Sequence, residues 1–339
     1  MTGVDRFAFE ILRLWLPQYA HAHAARLIVP PTAPINEIYS SLPPATRVGR
    51  LSGHAWEQFE LPMHARGATL VNLCSTGPIF RESQLCVLHD AAPISNPDTF
   101  SFAFRTWYRY LFAGLMRRAK TIATVSRFSA GELTRLFGRH KAALEVIYCS
   151  GEHILREPPD ARILERLNLV GQRYVLAVGS RSRNKNFAAA AAAVSALDDS
   201  GVKLVAAGGN NQRVFAGMQL QSQKLIPAGY VTDSELRALY ENAQCFIFPS
   251  RYEGFGLPPL EAMHCGCPVI VSDRTSLPEV CADAALYCDP EDIGDIARQL
   301  KLLLSSAQLR DELHHKGLAR ARQFSWQVSA DRLEELLNR

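Results

Sequence analysis

No run of about 20 apolar residues occurs in this 339-residue chain, so no segment reads as a membrane-spanning helix. The alanine-rich run at 188–194 is too short to span and reads as a helix packed among neighbours. The first residues lack the basic region, apolar core and small-residue cleavage site of a secretory signal. Instead Asp5 comes early, and Phe7, Ile11, Leu12 and Leu14 make an amphipathic stretch. A cytoplasmic chain is expected. A disulfide framework is absent too: the 8 cysteines are scattered through apolar surroundings, as buried reduced thiols are. The His264-Cys265-Gly266-Cys267 cluster lacks both the spacing of paired zinc cysteines and a second ligand pair, so no metal site is read there. There is no solenoid-period repeat, no low-complexity tail and no nucleic-acid recognition motif.

The composition that remains, 47% hydrophobic and 21% charged with 21 Gly and 19 Pro, is that of a globular protein. A single core seldom grows beyond about 250–300 residues, so two compact units with a cleft between them are expected. Short runs rich in Val, Ile and Ala alternate with helix-period segments, the sign of parallel βαβ units. Strands are predicted at 27–29, 69–73, 85–88, 121–125 and 144–148, and again at 174–178, 204–207, 245–248, 269–271 and 285–288. Helices are predicted at 102–118 and, behind a Ser126 cap, at 127–137. The stretch 151–171, with Pro158, Pro159 and charges of both signs, reads as a linker between two doubly wound domains.

Charge is unevenly placed. Residues 1–150 hold 16 Lys and Arg against 10 Asp and Glu, and the remainder 21 against 23. The basic half contains Arg105, Arg109, Arg117, Arg118 and Lys120 interleaved with Phe102, Phe104, Trp107, Tyr108, Tyr110 and Phe112. At helical spacing this is either a surface for anionic lipid headgroups or a lipid-linked substrate, or an amphipathic helix with a solvated basic face.

The most informative segment is Ser250-Arg251-Tyr252-Glu253-Gly254-Phe255-Gly256-Leu257-Pro258-Pro259-Leu260-Glu261. It follows a predicted strand and enters a helix through prolines, which suit a first turn because their missing N–H groups would be unpaired there. The amides of Phe255, Gly256 and Leu257, with the positive helix end behind them, suit a phosphate or sugar hydroxyls. Glu253 falls on the loop and Glu261 within the first turns, so two carboxylates face different parts of one ligand.

This segment resembles the Glu-x7-Glu motif of the retaining glycosyltransferases of family 4, which have the two-domain GT-B fold of two facing Rossmann-like domains. The resemblance implies that Glu253 lies near the donor sugar and that Phe255, Gly256 and Leu257 contact sugar or diphosphate. It implies also that Glu261 holds the ribose of a sugar nucleotide. Tyr174-Val175-Leu176-Ala177-Val178-Gly179-Ser180-Arg181-Ser182-Arg183-Asn184-Lys185 is similar to the family's strand and basic loop, in which an Arg and a Lys neutralise the diphosphate. Lys185 matches; Ser180 stands where the Arg is usual, and Arg181 or Arg183 takes its place. Such cations stabilise a leaving group whose negative charge grows in the transition state. Gly229-Tyr230-Val231 with Leu239-Tyr240 resembles the stretch near the nucleotide base. Leu88-His89-Asp90 resembles the family's His-Asp, with His89 on the transferred sugar, and Gly3 resembles the family's first glycine-rich loop.

Two departures stand out. Family members begin with a strand leading into that first loop, whereas Met1-Thr2-Gly3-Val4-Asp5-Arg6 has the loop alone, so an upstream start or an altered first domain is expected. Cys149-Ser150-Gly151-Glu152-His153 replaces the usual Asn-Gly turn. The implied organisation is an acceptor-side domain at 1–155, a nucleotide-sugar domain at 156–322 and a helix at 323–339 crossing back onto the first.

The implied function is transfer of a hexose, mannose from GDP-mannose being the first choice, to a hydroxyl of a lipid-linked glycan in bacterial surface polysaccharide synthesis. The protein would work in the cytoplasm, peripheral on the inner membrane, with no cofactor and no metal, since no Asp-x-Asp pair stands in a cleft context. The alternatives are a rhamnosyl- or glucosyltransferase of the same family, an epimerase or hydrolase of sugar nucleotides, and a silent GT-B subunit.

Overall fold

The computed structural model describes residues 2–33, 41–138, 144–179, 183–197, 201–208 and 224–339. The chain divides into two units, Met1–Cys149 with Trp326–Arg339, and Ser150–Ser325.

In the first unit the principal helices are α1 (Gly3–His23), α2 (Phe102–Arg118) and α3 (Arg127–Phe137). Each begins where a side-chain oxygen accepts an otherwise unpaired amide: Thr2 from Asp5, Ser101 from Phe104 and Ser126 from Ser129. Strands β1 (Ile28–Val29) and β2 (Thr46–Arg47) pair with each other in parallel. A separate parallel sheet runs β3 (Leu70–Asn72), β4 (Gln84–Val87), β5 (Thr121–Thr124), β6 (Glu145–Val146). Among the described residues β1 and β3 each have a partner on one edge only. The core lies where Cys86, Leu88 and Ile122 meet Leu111, Phe112, Leu115 and Leu133.

The second unit has one continuous sheet. Its strands are β7 (Arg173–Val178), β8 (Val202–Ala207), β9 (Leu225–Gly229), β10 (Cys245–Phe248), β11 (Val269–Ser272) and β12 (Ala285–Cys288). All pair in parallel in the order β12-β11-β10-β7-β8-β9. Its principal helices are α4 (Phe187–Ser195), α5 (Asp233–Asn242), α6 (Leu257–His264), α7 (Ile293–Ser305) and α8 (Ala307–Ala321). The alanine-rich run forms α4, whose Ala190 and Ala193 are fully buried beside Leu204 and Leu300. Such small side chains let a helix lie close on a sheet.

The chain then returns to the first unit as α9 (Trp326–Leu337), which packs on α1. Trp15 Nε1 donates to Glu334 Oε2 at 3.0 Å, Tyr19 donates to Asp331 at 2.8 Å, and the Trp326 ring meets Phe7 edge-on. Among the described residues no helix is long and apolar enough to cross a membrane.

The linker expected at 151–171 is corrected by the structure. The segment opens with a 3₁₀ turn, Glu152–Leu155, and a short helix, Arg162–Arg166. Ile154, Ile163 and Leu169 are buried within the second unit, and burial of that kind fixes a segment rather than freeing it. The strands β2 and β9 were not predicted. In β9, Pro227 argues against a strand, yet among the described residues β9 pairs only with β8, so a missing N–H on its other edge breaks no ladder bond.

Candidate functional site

In the second unit the strand order reverses at β7, with β8 on one side and β10 on the other. Loops leaving the carboxyl ends of strands at such a switch point form the usual ligand crevice of an open parallel sheet. The two motif loops leave from β7 and β10.

Their charged groups meet. Lys185 Nζ donates to Glu253 Oε1 at 2.7 Å and lies 4.9 Å from the Phe248 ring centroid. The Ser250 hydroxyl is 2.5 Å from the same carboxylate oxygen and 2.9 Å from Asn184 O. The backbone of the Glu253 loop is clamped from the far side. Glu253 N donates to Thr275 Oγ1 at 3.1 Å, and Ser276 Oγ reaches the carbonyls of Glu253 and Phe255 at 3.0 and 2.7 Å. An ammonium has three N–H groups, so Lys185 keeps donors for a ligand while one is held by Glu253.

Gly256 caps α6 with φ +109°, and a Cβ there would sit 2.6 Å from Leu277 Cδ2, so only glycine fits. Pro258 and Pro259 follow in the first turn and have no N–H. The amides at this helix end are therefore those of Phe255, Gly256 and Leu257, at the positive end of the helix dipole. Phe255 is buried and meets Phe324 edge-on.

One turn further, Glu261 is buried at 7% exposure. Its Oε1 lies 3.0 Å from His153 Nε2, and its Oε2 accepts from the Tyr240 hydroxyl at 3.3 Å. Burial, and then the charge of Glu261, push the Tyr240 hydroxyl well above its usual range, so it stays a donor.

The other expected residues are placed less closely. Gly179 ends β7 with its N–H on Ala207 O, and its α-carbon faces the Lys185 side chain. Arg181 lies outside the described residues; Arg183 opens the 3₁₀ turn Arg183–Lys185. Tyr230 is exposed, and Val231 precedes the Thr232 cap of α5. In the first unit, Gly3 opens α1 with no atom near its α-hydrogen positions. His89 is buried: its Nε2 is 2.8 Å from Leu73 O and its ring meets Phe7 edge-on at 4.9 Å. Burial lowers its pKa to about 4, so the ring is neutral at neutral pH and donates to that carbonyl. All eight cysteines are free, and among the described residues no group of three or more His, Cys, Asp or Glu is placed to hold a metal ion.

Sequence reasoning missed His153, Thr275 and Ser276. His153 left a signal as part of the stretch that departs from the family's Asn-Gly turn, and Ser276 as the start of Ser276-Leu277-Pro278-Glu279-Val280, a segment that resembles the family and reads as architecture.

The family described as Glycosyl transferases group 1 matches residues 161–337. The O-antigen chain mannosyltransferase B of Escherichia coli is 37% identical over 260 residues, 73% of this chain and 68% of that protein. The chain belongs to the group 1 glycosyltransferases. A second relative of this group 1 glycosyltransferase, the O-antigen chain mannosyltransferase RfbU of Salmonella typhimurium, is 30% identical over 64% of this chain and 59% of its own length. Anabaena Alr3699/HepE, solved in complex with UDP and glucose, superposes with a TM-score of 0.80 at 15% identity, over 99% of this chain and 96% of that one. That likeness shows the fold, and the GT-B expectation is borne out.

Proposed function

We propose that this glycosyltransferase transfers mannose from GDP-mannose, with retention at the anomeric carbon and without a metal ion, to a hydroxyl of a lipid-linked glycan of the O-antigen kind. The observation that carries the reading is the Lys185–Glu253 pair at 2.7 Å, set beside the amide end of α6 at the sheet's switch point. Mannose is supported by the similarity to two mannosyltransferases.

In this reading the remaining N–H groups of Lys185 and the amides of Phe255, Gly256 and Leu257 hold the diphosphate. Glu253 accepts from a sugar hydroxyl and Glu261 from the ribose diol. The bond from the anomeric carbon to the diphosphate oxygen breaks while a bond to the acceptor oxygen forms on the same face. The departing diphosphate oxygen takes the acceptor's proton. Positioned cations and amides favour that step because charge on the leaving group is larger in the transition state than before it.

The lipid end of the acceptor is assigned to the first unit. There a cavity of about 270 Å³ is lined by Ile94, Arg109, Ala113, Arg117, Leu136 and Phe137. Arg109 and Arg117 form no ion pair among the described residues, and Phe80 and Phe102 are more than 70% exposed nearby in sequence to this basic helix or its contacts. Guanidinium groups over an apolar lining suit a phosphate ester with a hydrocarbon chain.

The test is a thermal-shift and transfer screen of GDP-mannose, TDP-rhamnose, UDP-glucose, UDP-galactose and UDP-N-acetylglucosamine, with Glu261→Ala alongside and excess chelator in one arm. GDP-mannose is expected to raise the melting temperature of the native chain and not of the variant. A shift with another donor alone replaces mannose. Activity lost in chelator removes the metal-free mechanism.

A further inference from the structure

We infer that His153 is a positioning residue for the donor: it sets the orientation of the Glu261 carboxylate that receives the ribose. The inference rests on the donor reading above and adds a residue that the motif does not contain.

His153 and Glu261 are 108 positions apart, yet their side chains meet inside the second unit at 3.0 Å. The His153 side chain has no exposed surface, and that of Glu261 keeps 10%. The pair is therefore accessible from the carboxylate side only. A carboxylate offers about four acceptor directions. His153 takes one on Oε1 and Tyr240 one on Oε2, so the plane of the carboxylate is fixed at both oxygens. A vicinal diol meets a carboxylate held in this plane with one hydroxyl to each oxygen.

The backbone holds His153 to this task. A Cβ on Gly151 would lie 2.6 Å from Glu261 N and 2.7 Å from Leu260 C, so the turn rests directly on the backbone of α6. Ser150 Oγ donates to Phe324 O at 3.0 Å, and Ile154 is buried. Only a residue without a side chain permits this contact, and it places the imidazole two residues later at the level of Glu261. Glu261 has no proton to give as a carboxylate, so Nε2 carries the proton of the contact.

A histidine that merely fills space would affect every ligand of the unit equally. A positioning histidine affects only ligands that carry the ribose hydroxyls. The experiment measures, by calorimetry on the full chain, whichever of GDP and UDP the wild type binds, and its 2′-deoxy counterpart. The wild type is expected to prefer the ribose form by about tenfold, the scale of one hydrogen bond to a charged group. His153→Leu is expected to abolish that preference by weakening the ribose form alone. His153→Gln, whose amide nitrogen reaches the Nε2 position, is expected to keep it; should the leucine variant fail to fold, His153→Met replaces it.

Equal weakening of both nucleotides by His153→Leu, or an unchanged preference, overturns the inference. Glu261→Ala separates the two levels. If Glu261→Ala removes the preference and the His153 variants do not, only the inference about His153 fails. If the wild type shows no preference, or Glu261→Ala retains it, Glu261 is not on the ribose and the donor reading itself fails.

Discussion

The two units solve different problems with the same βαβ chemistry. Among the described residues, Ser150–Ser325 has one unbroken parallel sheet of six strands, and the loops after β7 and β10 bring Lys185, Ser250 and Glu253 together while α6 presents Glu261. Met1–Cys149 with Trp326–Arg339 has, among the described residues, a four-stranded sheet and a separate pair, and its large exposed side chains include Phe59, Phe80, Phe102 and Tyr110. The difference teaches where fixed positions are available: the Lys185, Ser250 and Glu253 cluster stands on a continuous sheet, and large exposed apolar side chains gather on the other unit.

The comparison breaks if the two cores melt as one. Trp326→Ala, at a fully buried ring, is expected to cost about 3–5 kcal/mol and to expose α1 and α9 to hydrogen exchange while β7 and β10 stay protected. Uniform loss of protection would mean a single cooperative core. Next in size, Lys185→Ala is expected to lower kcat/KM about 10²–10³-fold with little change in melting temperature, placing the chemistry in the continuous unit. A large fall in melting temperature with intact kcat would instead make the lysine structural.

His89 sharpens the contrast through pH. Its folded-state pKa of about 4 lies below the usual 6.5, so folding favours the neutral ring. Its contribution is complete above pH 6.5 and is lost as pH falls from 6.5 towards 4, because the unfolded chain takes up a proton that the native one refuses. The loss amounts to roughly 3 kcal/mol, and urea titrations of His89→Gln are expected to lack it. His264 in the second unit is lowered to about 4 by burial and then by His153, but its ring is part-exposed and its share over the same window is smaller. The smallest effect compares two glycines. Gly256→Ala is expected to cost about 1–3 kcal/mol, more than Gly138→Ala, since both have positive φ but only Gly256 has Leu277 against it. Denaturant midpoints of equal size would remove Leu277 from the argument.

Local signals carried most of the fold. The helices 102–118 and 127–137 were legible to the residue, the second because Ser126 announces its first turn, and β10 and β12 because short apolar runs stand between turns. β2 has only two exposed residues and no apolar pattern, so nothing marked it. The loop into α6 was legible because Glu253 and Glu261 sit eight residues apart around Gly254, Gly256 and two prolines. His153 was not, since its meaning comes from a partner 108 residues away, and no local pattern encodes a contact of that separation. The stretch 151–171 misled for the same reason: prolines are read locally, and the burial of Ile154 and Ile163 is a tertiary fact.

The helix α9 has a consequence in time. The first unit is sealed by residues that the ribosome adds only after the whole of Ser150–Ser325. At ordinary elongation rates that interval is on the order of ten seconds or more. The apolar side of α1, with Phe7 and Trp15, therefore waits for Trp326 throughout that interval.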